Sequence, residues 1–380
     1  MTREGELVVR LPWDGERVRG PTLVSSRAFV AERLFAGKSP AQVVATVPLL
    51  FSVCGGAQRA AASAALAAAG ARDIGPGVAD EVGVVLETAQ EYFWRLLIDW
   101  PQAMARPAFA APVAAARHRI ATAARGRDGA PAWGDSLAMR ELGAALGALA
   151  EKNILGLPPA AWLAMADVHA LQRWIEDGAT LPARLLGELI EEAPELGRSD
   201  IGLMPDSAEA LMATVVPAML REPGFARSPT WDGAPMETGA LSRMRAQPLV
   251  AAIDALHGHA VVTRMTARLT ELAALLRGLE AGERADIPPI QAFALGRGHG
   301  LAAVQTARGL LLHRARLEDG KVAEYQIVAP TEWNFHPAGA LVAGLSGLAG
   351  PDEVELSCRA RLAVQALDPC VACRIEIGHA

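Results

Sequence analysis

The sequence predicts an α+β fold, mainly helical: a central helical bundle with β elements near both termini. Residues 78–100 place Val78, Val82, Val85, Leu86, Ala89, Phe93, Leu96 and Leu97 at spacings of three and four. That periodicity marks an amphipathic helix, with Pro101 as its stop. Residues 6–11 alternate apolar and polar before the turn-forming pair Asp14-Gly15, the pattern of a strand. After Pro288 the chain becomes β-prone, with apolar runs at 309–316 and 322–328 separated by Glu318-Asp319-Gly320. An Asp-Gly pair between such runs is a hairpin signal.

The other elements follow from the same rules. Residues 26–37 predict a helix closed by Gly37, with Pro40 just beyond. Residues 55–71 form the most apolar run, but it is Ala-rich and carries Gln58 and Arg59, so it reads as a buried or interface helix. Residues 106–131 are rich in Ala, Arg, Gly and Pro; no organisation emerges, and a partly mobile stretch is expected. Helices are expected over 137–151, 160–176 and 207–221. A long helical stretch, 239–279, should break near Pro248 and Gly258. His257 and His259 are expected to face solvent, and His299, between glycines, to sit in a loop. Cys358 has no motif around it and reads as a packed core residue.

Composition narrows the function. The chain has 380 residues, enough at roughly 150 per domain for two or three lobes or one large domain. It is read as a single domain, 1–380: an N-terminal half-site over 1–100, a divergent helical middle over 101–230, and a C-terminal half-site over 231–380. The formal net charge is -6 and no long basic run occurs, which argues against nucleic acid as a partner, since phosphate binding needs clustered Lys and Arg. No stretch of about 18 apolar residues exists, so no membrane span is expected. Residues 1–10 are charged and lack a signal peptide's apolar core. The chain is expected to be cytoplasmic, with its four cysteines reduced.

Two short segments carry chemistry. Asp368-Pro369-Cys370-Val371-Ala372-Cys373 places two thiols three residues apart, a soft donor pair that iron, nickel or zinc prefers. Alone, it fits a zinc-type pair or two buried cysteines as well. Ser52-Val53-Cys54-Gly55-Gly56-Ala57 holds a lone cysteine before two glycines, which by itself indicates burial more than function. The segments lie over 300 positions apart, so only the fold could unite them.

Together these segments resemble the [NiFe] hydrogenase large-subunit family, which carries CGxC near its N-terminus and DPCxxC near its C-terminus. Arg3-Glu4-Gly5-Glu6-Leu7 resembles that family's opening strand, and residues 32–37 resemble its E-x-x-L-x-G helix. Residues 231–243 resemble its E-x-G-P-L-A-R segment. Thr306-Ala307-Arg308-Gly309-Leu310-Leu311-Leu312-His313 is similar to A-P-R-G-x-L-x-H, and residues 325–334 to Y-Q-x-x-x-P-[ST]-x-W-N. The order is kept from end to end; residues 106–227 match nothing.

The resemblance implies a hydrogenase large-subunit-like bundle and a particular set of site residues. In the family four thiolates hold the metals, the first of each pair binding nickel and the second bridging nickel to iron. Cys54 and Cys370 match the terminal positions and Cys373 one bridge. Ala57 stands at the other bridge and Ala61 at a family histidine, so a bimetallic site with both bridges is not expected. The family's iron carries cyanide and carbon monoxide. Arg308 matches the guanidinium that donates to cyanide, and Thr331, beside Pro330, matches the hydroxyl serving the second cyanide. Glu4 matches a proton-passing glutamate if one residue is deleted. Glu32 matches a glutamate near a magnesium site, whose histidine partner falls on Glu376, with His379 three further on.

Iron anchors kept and one bridge lost is the pattern that resembles the HupK/HoxV-type hydrogenase accessory proteins. The implied function is a non-catalytic scaffold that assembles or holds an Fe(CN)2CO unit, without nickel, for transfer to a [NiFe] hydrogenase large-subunit precursor. Transient contact with a small HypC-type chaperone is the other partnership this implies. Precursors of the family usually carry an extension after the last motif; the sequence ends seven residues after Cys373, so no such processing is expected. The alternatives are a divergent catalytic subunit and a metal-free structural homologue.

Overall fold

The computed structural model describes residues 5–27, 29, 31–51, 53–125, 136–222, 224–283 and 289–379. Arg3, Glu4 and the stretch 126–131 therefore lie outside the described residues. β1, Glu6–Trp13, buries Leu7, Val9, Leu11 and Trp13 on one face, as alternation requires. β2, Thr22–Ser25, pairs antiparallel on one side of it, and the last strand, Ala372–His379, pairs parallel on the other with Cys373 opposite Leu7. The expected helix over 26–37 shrinks to α1, Ala31–Phe35, because Ser26 instead holds the end of β1, its amide donating to Glu6 O at 2.9 Å.

α2, Pro40–Leu50, begins in a reciprocal capping box between Ser39 and Gln42. α3, Gly55–Ala68, is the Ala-rich run, and it is buried: every residue from Ala60 to Leu66 is at most 6% exposed. α4, Val78–Trp94, carries the predicted amphipathic face. It passes through a π turn, Arg95–Asp99, into α5, Trp100–Ala103. Pro101 does not stop it because it sits in the first turn after the register shift, where a missing N–H costs little. α6, Ala110–Arg125, and α7, Ser136–Ala150, organise most of the middle. α8, Pro159–Leu163, and α9, Val168–Asp177, divide what reads as one helix, and α10, Leu181–Glu192, follows.

A two-stranded pair joins β3, Gly202–Leu203, to β4, Met236–Glu237, around α11, Ala208–Arg221. α12, Ala240–Met244, α13, Pro248–His257, and α14, Val261–Ala281, break where Pro248 and Gly258 predict. α14 is the axis of the bundle: Val261 to Ala273 is buried on all sides. Two of its charged members are ion-paired, Arg264 with Glu237 at 2.8 Å and Glu271 with Arg243 at 2.5 Å. Arg268 stacks over Tyr92 and Trp100.

β5, Ile290–Gly296, β6, His299–Thr306, β7, Gly309–Glu318, and β8, Lys321–Val328, form an antiparallel sheet in sequence order. The β7–β8 hairpin turns at Asp319-Gly320 as predicted. Both faces are covered. Ala302, Val304, Leu311, Ala315 and Tyr325 pack towards α3, while Leu301, Ala303, Leu310, Leu312 and Val328 pack with α11 and Trp333. Gly300 makes the first contact possible, since a Cβ there would lie 2.1 Å from the Ala65 carbonyl. α15, Pro330–Asn334, α16, Ala340–Leu345, and α17, Glu353–Leu367, lead to β9, Ala372–His379. Three expectations are corrected: His257 and His259 are half-buried, His259 being held by Ile201 O; His299 opens β6 instead of lying in a loop; and Cys358 is half-buried on α17. Among the described residues no helix is long and apolar enough to cross a membrane.

Candidate functional site

Cys54 is the N-cap residue of α3. Its helix amides are occupied: Glu87 on α4 accepts from Gly56 N at 2.8 Å and Ala57 N at 3.2 Å, a carboxylate at the positive end of a helix. Gly56 leaves room for this approach: a Cβ there would lie 2.7 Å from Glu87 Oε2 and would push the carboxylate aside. Cys370 arrives from the other end of the chain. Asp368 caps α17 in the left-handed conformation, φ 55°, and turns the chain through Pro369. Thr331 Oγ1 donates to Cys370 Sγ at 3.1 Å and accepts from Cys370 N at 3.3 Å, fixing the thiol to α15.

Cys54 and Cys370 line one cavity of about 350 Å³, walled also by Arg27, Phe51, Tyr325 and Glu332. Burial pushes the Cys54 thiol up to about 12, and the neighbouring Cys370 adds to this; the Arg308 charge and a contact from Gln58 oppose it. Arg308 is 4% exposed, with Nη2 on Glu91 at 2.7 Å and Nε 3.3 Å from Asp368 Oδ1. Burial disfavours its charge, but Asp368 and Glu91 outweigh that and raise its pKa. Asp368 also meets Arg95 Nε at 2.8 Å. Arg27 Nη1 pairs with Glu332 at 2.9 Å; burial works against the Arg27 charge, and the Glu332 carboxylate holds it.

The structure thus brings Cys54, Cys370, Arg308 and Thr331 together, with Pro330 opening the helix that bears Thr331. It places Cys373 apart. That thiol lines a second, more polar cavity with Arg95, Arg361 and Arg374, and Val371 borders both cavities. Burial, with Glu6 nearby, pushes Cys373 up to about 12. Among the described residues no group of three Cys, His, Asp or Glu gathers as a metal nest. Glu32 stands exposed at the first cavity's edge, whereas Glu376 is paired with Arg10 at 3.0 Å and His379 with Glu353 at 3.0 Å.

A family model described as nickel-dependent hydrogenase matches residues 251–376. The hydrogenase expression/formation protein HoxV of Cupriavidus necator is 31% identical, over 100% of this chain and 98% of that protein. The hydrogenase expression/formation protein HupK of Rhizobium leguminosarum bv. viciae is 32% identical, over 92% of this chain and 90% of that protein. This chain belongs to the HoxV/HupK family of hydrogenase expression/formation proteins. The Ni-Fe-Se hydrogenase from D. vulgaris Hildenborough superposes with a TM-score of 0.56 at 15% identity, covering 93% of each chain. The fold of this HoxV/HupK relative is therefore that of the hydrogenase large subunit, mainly helical with α+β character.

Several site residues of this HoxV/HupK chain escape motif reading. Asn334 ties three motifs together: Oδ1 accepts from Thr238 N at 2.9 Å, and Nδ2 donates to Arg308 O at 3.2 Å and Leu367 O at 3.5 Å. Its place in the W-N pair was a usable signal. Glu87 and Glu91, one turn apart on α4, could have been found as carboxylates on one helix face. Arg27 had no signal, since it reaches the cavity from the connection between β2 and α1.

His313 lies at the foot of the site, fully buried, and burial lowers its pKa to about 3. Above the ordinary value of 6.5 it is neutral in both folded and unfolded chains. As pH falls from there, only the unfolded chain takes up the proton, so stability drops. Between pH 6.5 and about 5 the loss from this group is about 1–2 kcal/mol. Denaturant unfolding across that window should fall more steeply for the parent than for His313→Asn; parallel curves would show that His313 is not held neutral.

Proposed function

We propose that this chain is a maturation scaffold: it holds an iron unit carrying cyanide and carbon monoxide and passes it to a [NiFe] hydrogenase large-subunit precursor. The observation that carries this reading is the convergence of Cys54 and Cys370 in one cavity beside the guanidiniums of Arg27 and Arg308. Two thiolates are a soft donor pair suited to low-spin iron. A guanidinium offers fixed, permanently charged donors to cyanide nitrogens. The relatives' name, hydrogenase expression/formation protein, supports a role in making the enzyme rather than in turning over hydrogen. A small HypC-type chaperone is the proposed donor. Cys54 and Cys370 are the proposed holding pair. Cys373, on the far side of Val371, is a third proposed ligand, available as the cargo arrives or leaves.

Ala57 is fully buried and its amide is bound to Glu87, so no donor replaces the missing bridge at that position. Protein purified anaerobically from a nickel-replete host making hydrogenase should carry iron in stoichiometric amount, infrared bands of cyanide and carbon monoxide, and negligible nickel. Nickel at parity with iron would instead identify a divergent catalytic subunit. Neither metal would identify a metal-free structural homologue.

A further inference from the structure

A buried chain of hydrogen bonds runs from Cys54 into the sheet. Gln58, one turn along α3, points Nε2 at Cys54 Sγ at 3.7 Å. Its Oε1 lies 2.9 Å from His313 Nε2, and His313 Nδ1 lies 2.8 Å from the Tyr325 hydroxyl. Gln58, His313 and Tyr325 are each at most 1% exposed. The pleat of β7 aims His313 at α3, on the same face as Tyr325, and Tyr325 is wedged edge-on against Phe35 and His313.

His313 is neutral, so it has one donor and one acceptor. The Tyr325 O–H is buried and its partner is His313 Nδ1; were Nδ1 to carry the proton, the hydroxyl hydrogen would have no acceptor, at a cost of about 1–3 kcal/mol. Nδ1 is therefore the acceptor and Nε2 the donor. Gln58 Oε1 accepts from it, which leaves the Gln58 amide N–H to donate to Cys54 sulfur. Every buried group is used, and the chain ends as a donor aimed at the thiol.

The geometry points to Gln58 as a positioning residue, oriented by His313 and Tyr325, that holds Cys54 sulfur in the cavity as a hydrogen-bond acceptor. Thr331 does the same for Cys370, so each cavity thiol has its own donor. The inference rests on the proposed function only in taking Cys54 as a metal-holding thiolate.

Cobalt(II) added to the full-length, metal-free protein is the probe, read by its sulfur-to-metal charge-transfer band and by its affinity. Partners of a metal ligand typically contribute about 10–100-fold to affinity. Gln58→Leu should weaken cobalt binding about tenfold and move the band to lower energy, because an unbridled thiolate gives up charge more easily. Tyr325→Phe removes only the hydroxyl that sets the imidazole tautomer. It should shift the band the same way by less, an effect that a merely structural role would not produce. If Gln58→Leu does not fold, Tyr325→Phe decides alone. An unmoved band in the folded variants overturns the inference while leaving the holding pair intact. Failure of Cys54→Ser to change cobalt binding overturns the holding pair, and this inference with it.

Discussion

Cys370→Ser should abolish iron loading. The thiol it removes is one of two that face the cavity, and a hard hydroxyl does not replace a soft thiolate on iron. The loss should not come from unfolding. Cys370 is half-buried, its amide contact to Thr331 Oγ1 involves the backbone, and serine retains an acceptor for the Thr331 hydroxyl. Cys54→Ser should behave alike. Cys358→Ser is the control, since Cys358 donates to Ala103 O at 3.1 Å and lines neither cavity. Iron content and circular dichroism on the three variants would test this: if Cys358→Ser lost iron as the other two do, or if Cys370→Ser kept it, the site would be wrongly placed.

Arg308→Met should destabilise the fold by about 3–5 kcal/mol, the usual consequence of removing one partner from a buried ion pair. Glu91 would lose this cation, and among the described residues Asp368 would keep only Arg95 at ion-pair distance. Arg308→Lys keeps the charge but loses the planar fork, so it should fold with a smaller penalty. Because Nε and Nη2 face carboxylates, a donor to cyanide would come from Nη1. If it does, Arg308→Lys should weaken retention of the iron unit roughly ten- to a hundredfold, as loss of a charged hydrogen bond of about 1.5–3 kcal/mol predicts. The cyanide bands should move and the carbon monoxide band less so. Denaturant titration reads the first effect and infrared spectroscopy the second. A stable Arg308→Met protein would show that the carboxylates are not charged, and unmoved cyanide bands would show that Arg308 does not serve the cargo.

Elements whose signal is local were legible in the sequence. The α4 periodicity, the Asp319-Gly320 hairpin and the breaks at Pro248 and Gly258 each follow from a few neighbouring residues. β5 and β6 were not seen, because both faces of β6 are buried and its Gly, Ala and Leu run lacks alternation. α10 and α17 carry a legible start signal in their caps, Thr180 and Asp352, but little else that is local marks them. Of the site, the thiols, Arg308 and Thr331 were marked by motifs. Their supports were not, since Arg27, Glu91 and Gln58 act through contacts between distant segments that no spacing rule encodes. The separation of Cys370 from Cys373 was likewise hidden: β9 starts at Ala372 and commits Cys373 to pairing with β1.

That parallel pairing has a consequence for how the protein is made. β1 and α3 leave the ribosome early, but β9 follows them by more than 300 residues. At about 5–20 residues per second, β1 waits on the order of tens of seconds with one edge open. Throughout translation Cys54 has no Cys370 beside it, so under the proposed function a nascent chain would lack the holding pair. Cargo loading would then be confined to finished molecules, and the supply of a scarce metal complex would be protected from chains that fail to complete synthesis.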